Sequence, residues 1–215
     1  MTRVPGSRTL VFCLIAGTGL FWDLFSKTVV FDDLGYTENG RVVEFGRHKI
    51  FDRPPGIEGS SVPYIRGWTT FRLFTSFNHG ALWGVGQGYS WAFAALSVVA
   101  VAGIIYWLFV RKAARSLWLT VALAFILAGT LGNLYDRAGL HGCVDLTGAR
   151  LYAVRDFLLF TFGGFPWPVF NFADVYLVTG ATMLVLQSFR ADAHSTTPLQ
   201  STPAAATTSS EPPQP

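Results

Sequence analysis

Four apolar stretches, residues 9–31, 91–110, 117–134 and 169–189, dominate the chain. Each is about as long as the roughly 20 residues a helix needs to cross the hydrocarbon core of a bilayer. Hydrocarbon offers the backbone no hydrogen-bond partners, so segments of this kind fold as helices that satisfy themselves internally. Composition agrees, because 51% of the 215 residues are hydrophobic and only 13% are charged, about half the charged share of a soluble domain. The expected fold class is an all-α integral membrane protein, with four transmembrane helices and a small extracytoplasmic β-rich segment. Residues 1–190 form the membrane domain, with the outer β-rich segment at 32–90 and an outer loop at 138–168. Residues 191–215 are rich in Thr, Ser, Pro and Ala. Such a stretch buries too little apolar surface to offset its ordering entropy, and is expected as a disordered cytoplasmic tail.

Orientation follows from the basic residues flanking the helices. Arg3 and Arg8 precede the first stretch, Arg111, Lys112 and Arg115 join the second to the third, and Arg190 follows the fourth. By the positive-inside rule these ends are cytoplasmic, which places both termini there. The first stretch is expected to stay attached as a helix and not to be cleaved as a signal peptide, because it outlasts a signal h-region, carries Asp23 and Lys27, and leads into no Ala-x-Ala site. The segment from Asp32 to Ser90 leans toward β structure over residues 64–77, with turn signals at Pro54-Pro55-Gly56 and Gly59-Ser60-Ser61. Its aromatics Trp68, Phe71, Phe74, Phe77 and Trp83 suit either the headgroup level of a membrane or the packing of a small sheet.

Several chemistries find no support. The cysteines, Cys13 and Cys143, fall at opposite ends of the expected topology and are not expected to pair. The histidines His48, His79, His141 and His194 are scattered, so no metal site of ordinary ligand spacing is expected. Gly84, Gly86 and Gly88 lack the strand and helix context of a phosphate loop. The net charge of +3 is accounted for by membrane topology, and no nucleic-acid partner is implied.

The chemistry concentrates in a few polar residues. A carboxylate near an apolar span is a functional hypothesis with a partner to be named, and here Asp156 and Asp174 bracket the entry to the last helix. Asn171 and Asp174 are three apart and share a helical face. With Pro168 suiting the helix start, Asp174 is expected about five residues in, on the order of 7 Å below the membrane boundary, where no cap is needed. Asn133, Asp136 and Arg137 share a face at the end of the third helix. Asp136 is expected in an ion pair with Arg137 or another basic group. Asp23 and Lys27, at i and i+4, can neutralise each other as a structural pair or shape a substrate site, and Lys27 can alternatively snorkel to headgroups.

Taken in order, four blocks resemble the prolipoprotein signal peptidase (signal peptidase II) family, an aspartic protease family of the bacterial inner membrane. They are Trp22-Asp23-Leu24-Phe25-Ser26-Lys27, Asn78-His79-Gly80-Ala81-Leu82-Trp83-Gly84, Gly132-Asn133-Leu134-Tyr135-Asp136-Arg137 and Phe170-Asn171-Phe172-Ala173-Asp174. The resemblance covers most of residues 9–189. It implies that Asp156 and Asp174 are the catalytic aspartates, and that Asn78, Asn133, Arg137 and Asn171 bind substrate backbone or stabilise developing charge. Asp145, in Gly142-Cys143-Val144-Asp145, competes with Asp156. The family's spacing fits Asp156, and only Asp156 is followed by Phe. The long stretch 34–66, the extra residues 143–152 and Trp83, where Phe is more usual, depart from the pattern.

The activity implied is cleavage of diacylglyceryl-modified prolipoproteins just before the lipidated cysteine. One carboxylate acts as base on a water and the other as acid, with no metal or other cofactor. The resemblance also implies a bacterial inner-membrane location, membrane lipids as partners and a monomer. Two rivals use the same acids: a proton-coupled transporter, and a non-enzymatic membrane assembly factor in which the acids pair with Arg137 and Arg155.

Overall fold

The structure is a computed structural model that describes residues 5–38, 41–45, 61–65, 67–80, 88–111, 114 and 116–195. The readings of Trp83, of the turn signals at 54–61, of His48 and of the tail beyond 195 lie wholly or largely outside the described residues, as does the side chain of Arg190. Four long helices form: α1 (Gly6–Leu34), α2 (Ser90–Ile105), α3 (Leu117–Arg137) and α4 (Phe172–Ser195). The end of α2 widens into a π-helical turn at Tyr106–Val110. All four are long and apolar enough to cross a membrane.

α3 sits at the centre and packs against each of the other three helices. The reason lies in its small residues. Ala122, Ala124, Ala128, Gly129 and Gly132 are buried, and in a bilayer such residues let backbones approach closely. A Cβ built on Gly129 would overlap the Ala173 carbonyl oxygen and the Leu177 side chain of α4. From the other partners, Gly19 of α1 meets Ala128, and Gly180 of α4 meets the Ala122 carbonyl. The faces turned away from α3 keep their large apolar side chains exposed, among them Leu10, Leu14 and Phe21 on α1 and Val178 and Phe189 on α4.

The strands are β1 (Gly35–Glu38), β2 (Arg41–Phe45), β3 (Ser61–Ile65), β4 (Thr69–Asn78), β5 (Val154–Phe162) and β6 (Phe165–Pro166). β1 and β2 form an antiparallel pair, and the other four form an antiparallel sheet in the order β3-β4-β5-β6. β5 and β6 turn through Gly163 (φ 54°) and Gly164 (φ 89°), the left-handed conformations a two-residue hairpin turn requires. The sheet rests on the end of α1 through a core of Val30, Phe31, Leu34, Tyr36, Leu73, Leu151, Phe157 and Leu158. Phe71 lies with its ring centroid 4.8 Å from that of Phe160, and Trp68 lies 6.3 Å from Phe162, so these two aromatics pack against rings of β5. Trp68 nevertheless stays largely exposed.

Two expectations need correction. The outer loop at 138–168 contains β5, the central partner of β4. Its run Val154–Phe162 is rich in aromatic and branched residues that suit a strand. The last helix begins at Phe172 and not at 169, because Phe170 pairs with Leu158: Leu158 N–H donates to the Phe170 carbonyl at 2.8 Å and Phe170 N–H to the Leu158 carbonyl at 3.1 Å. The chain is therefore still extended after Pro168.

Gly129→Val should force α3 and α4 apart. Overpacking of this kind costs about 1–3 kcal/mol, read as a lower thermal midpoint of the purified protein in detergent; an unchanged midpoint would contradict the close crossing.

Candidate functional site

The late start of α4 changes the role of Asp174. Asn171 is the residue before the helix and Asp174 lies in its first turn. Asp174 N–H donates to Asn171 Oδ1 at 3.0 Å, and Asn171 N–H donates back to Asp174 Oδ2 at 3.2 Å. This reciprocal pair has the form of a capping box. Asp174 therefore does serve the helix start, contrary to expectation, while its Oδ1 accepts from Asn133 Nδ2 of α3 at 2.9 Å.

Asp156 reaches the same point from β5. Its register places Asp156 opposite Ser76, and Asn78 opposite Val154. Asn171 Nδ2 donates to Asp156 Oδ1 at 2.6 Å and to Asn133 Oδ1 at 3.2 Å, and the Asn78 side chain also hydrogen-bonds to Asp156. One asparagine thus ties both carboxylates together. Their surroundings differ: Asp156 is 2% exposed, whereas Asp174 is half-buried. Burial lifts the Asp156 carboxyl well above the usual carboxylate range, and the neighbouring Asp174 charge adds to the lift. The Lys27 cation and the bonds from Asn78 and Asn171 oppose it without cancelling it.

Beneath this pair lies a buried ionic chain. Lys27 is fully buried, with Nζ 2.7 Å from Asp23 Oδ2 and 3.2 Å from Asp136 Oδ2, and it donates to Asn133 Oδ1 at 3.3 Å. It does not snorkel. Asp23 Oδ1 accepts from Ala173 N–H at 2.8 Å, so α1 caps the first turn of α4. Asp136 pairs with Arg155 at 2.9 Å and with Lys27, so its partners among the described residues come from β5 and α1 and not from the adjacent Arg137. The formal charges of Asp23, Lys27, Asp136 and Arg155 sum to zero, so their mutual attraction and hydrogen bonds offset the cost of taking them out of water.

Asn78, Asn133, Asn171, Asp156, Asp174, Asp23, Lys27 and Asp136 therefore form one connected network. Arg137 joins at its edge: Nη2 donates to the Gly80 carbonyl at 3.2 Å and the guanidinium lies 5.3 Å from the Phe93 ring centroid. Its Nε is buried and has no hydrogen-bond partner among the described residues. Asp145 stands apart in a tight loop, where its Oδ1 accepts from Thr147 N–H, Thr147 Oγ1 and Ala149 N–H. These bonds, those from Thr147 first, hold its carboxyl below the usual range.

Arg155 was expected only in the assembly-factor rival, as a partner of the acids, and not among the site residues, yet it pairs with Asp136. The signal was present as a cation beside an acid inside an otherwise apolar run, Leu151-Tyr152-Ala153-Val154-Arg155-Asp156-Phe157-Leu158. A buried charge of this kind needs a partner.

Four apolar helices and a small sheet, meeting at a shared pair of carboxylates, define a protein suited to chemistry at one end of a membrane-type bundle. The chain matches the family model of signal peptidase (SPase) II over residues 15–190. It is 40% identical over 188 residues to the lipoprotein signal peptidase of Rhodopirellula baltica, covering 86% of this chain and 74% of that protein. It is 36% identical over 129 residues to the lipoprotein signal peptidase of Bacillus pumilus, covering 60% and 74%. A bacterial membrane enzyme solved by the in meso method at 2.3 Å shares the fold, with a TM-score of 0.58 at 22% identity over 89% of this chain and 94% of that one. The chain belongs to the signal peptidase II family, and is thereby a protease.

Lys27→Met should leave Asp23 buried without its cation while Asp136 keeps Arg155. Breaking a buried pair costs about 3–5 kcal/mol, so the thermal midpoint in detergent should drop, and adding Asp23→Asn should restore part of it. A single variant as stable as wild type would show that the pair does not hold the bundle.

Proposed function

We propose that this protein is an aspartic endopeptidase that removes the signal peptide from diacylglyceryl-modified prolipoproteins, cutting before the lipidated cysteine. The observation that carries the reading is the tie of both carboxylates to one residue, Asn171, whose side-chain amide donates to Asp156 and whose backbone N–H donates to Asp174, with one carboxyl buried and the other half-exposed. Two close carboxylates share a proton, which yields an acid and a base at one pH.

In this reading Asp156, whose surroundings favour the neutral form, keeps the proton. Asp174, held by N–H donors from Asn133 and Asn171, is the base. It takes a proton from a water, the water oxygen attacks the scissile carbonyl carbon, and Asp156 donates its proton to the carbonyl oxygen. On collapse of the tetrahedral intermediate the C–N bond breaks and a proton passes to the leaving amine. In the same reading Arg137, whose buried Nε has no hydrogen-bond partner among the described residues, and Asn78 bind substrate carbonyl groups.

Asp23 and Lys27, the end of α3 and the start of α4 all lie at one end of the bundle, whereas Arg8 and Arg111 lie at helix ends away from it. With basic ends inside, both termini are cytoplasmic, the site faces the outer leaflet of the inner membrane, and the sheet lies on that face. A substrate's acyl chains can then stay in the bilayer while its peptide reaches the carboxylates.

Purified protein in detergent should cleave a lipidated prolipoprotein peptide. Asp156→Asn and Asp174→Asn should each lose about 10²–10⁴-fold in rate, the range of acid–base catalysis, while Asp145→Asn stays active. A wild type that never cuts would restore the assembly-factor reading, full activity of Asp174→Asn would remove Asp174 from the catalytic pair, and proton-driven flux in liposomes would restore the transporter. The pH dependence of stability follows in sign. The folded protein keeps the Asp156 proton, which the unfolded chain releases near pH ~3.9. Stability therefore falls as pH rises from there through the raised value. Asp156→Asn should flatten that decline and raise the thermal midpoint at alkaline pH; a midpoint equally pH-dependent in both would count against a buried protonated Asp156.

A further inference from the structure

We propose that Arg155 is a positioning residue for the reaction: paired with Asp136, it locks β5 to the end of α3 and so sets Asp156 against Asp174. The inference rests on the reading of Asp156 and Asp174 as the proteolytic pair.

Successive side chains on a strand point to opposite faces, so Arg155 leaves the side on which Asp156 reaches Asn171 and meets α3 instead. Asp136 holds it at three atoms. Arg155 N–H donates to Asp136 Oδ2 at 3.0 Å, while Nε and Nη2 donate to Oδ1 at 3.1 and 2.9 Å. Nη1 reaches Thr28 Oγ1 of α1 at 3.4 Å, and the guanidinium lies 5.9 Å from the Phe31 ring centroid. A planar guanidinium gripped along one edge and touched at the other has little freedom to turn, which a lysine ammonium could not reproduce.

The strand needs this support where it stands. The β4–β5 ladder shifts register between Leu73 and Ser76, and Ser76 is the residue opposite Asp156. The ladder is therefore irregular immediately beside Asp156, and Asp136 supplies an anchor one residue away. The far end of the same ionic chain does the equivalent for the second carboxylate: Lys27 links Asp136 to Asp23, and Asp23 caps α4 in the turn that carries Asp174. A buried ion pair is a poor source of net stability, since apolar residues of similar size often serve as well. Its place between the two carboxylate-bearing elements is explained by geometry.

The test uses the full-length protein in detergent with a lipidated prolipoprotein peptide, comparing wild type, Arg155→Lys, Arg155→Met and the control Asp156→Asn for kcat, KM and the pH dependence of kcat/KM. Arg155→Lys keeps the charge and should remain monodisperse. Its kcat should fall about 10–100-fold, the scale of a small misplacement of reacting groups, with KM within about twofold of wild type. The basic limb of its pH profile should move to lower pH as Asp156 loses the influence of Asp174. A residue needed only for folding would lower kcat with the folded fraction and leave the profile where it was, and that outcome overturns the proposal, as does wild-type kcat in Arg155→Lys. Arg155→Met should be slower still; if it does not fold, Arg155→Lys alone decides. A wild type that never cuts, indistinguishable from Asp156→Asn, overturns the protease reading and the positioning role with it. An active wild type beside an inactive Asp156→Asn upholds the protease reading, and the kcat and pH profile of Arg155→Lys then decide the positioning role alone.

Discussion

Lys27 lies buried between Asp23 and Asp136, at 2.7 and 3.2 Å, and three separate parts of the chain are joined through it. Asp23 extends from the same helix to cap α4, and Asp136 extends from α3 to hold the backbone and side chain of Arg155 on β5. A cation in this position is costly unless both neighbours stay ionised and hydrogen-bonded. The three helices and the strand are thereby committed to one relative placement. Close helix crossings supply the room: Gly132 lies so near Asp23 that a Cβ there would strike its carboxylate.

That placement creates the unequal carboxyl pair. Asp174 stands in the first turn of a helix, held by Asn133 and Asn171 and open on one side. Asp156 comes from a strand and is enclosed. Had both come from neighbouring turns of one helix, their exposure would have been similar and neither would have been singled out to keep a proton. A strand meeting a helix start produces this difference in desolvation between the two carboxyls.

Much of this was legible in the amino-acid sequence. The four helices start within a few residues of their expected positions, because a long apolar run has only one way to satisfy its backbone in hydrocarbon, whereas α4 runs on to Ser195 through the first residues expected as tail. The i,i+4 pairing of Asp23 with Lys27 was equally readable, since helical spacing alone brings them together. The tie between Asp156 and Asn171 was not: a strand in the outer loop looks like any short run of aromatic and branched residues until β4, some 80 positions earlier, pairs with it. The capping role of Asp174 was hidden for the same reason, because the bridge between Leu158 and Phe170 delays the helix.

By itself the sequence determined the class of the protein: helices long and apolar enough to cross a membrane, the polar residues gathered near their ends and the family to which the chain belongs. Local spacing and the absence of water in hydrocarbon are enough for that. The partner of Asp136 was settled only by the tertiary structure, which chose Arg155 and Lys27 over adjacent Arg137. The burial of Lys27 and the unequal exposure of Asp156 and Asp174 were settled in the same way. Desolvation and ion pairing depend on what surrounds a group in space, and those neighbours come from segments far apart along the chain.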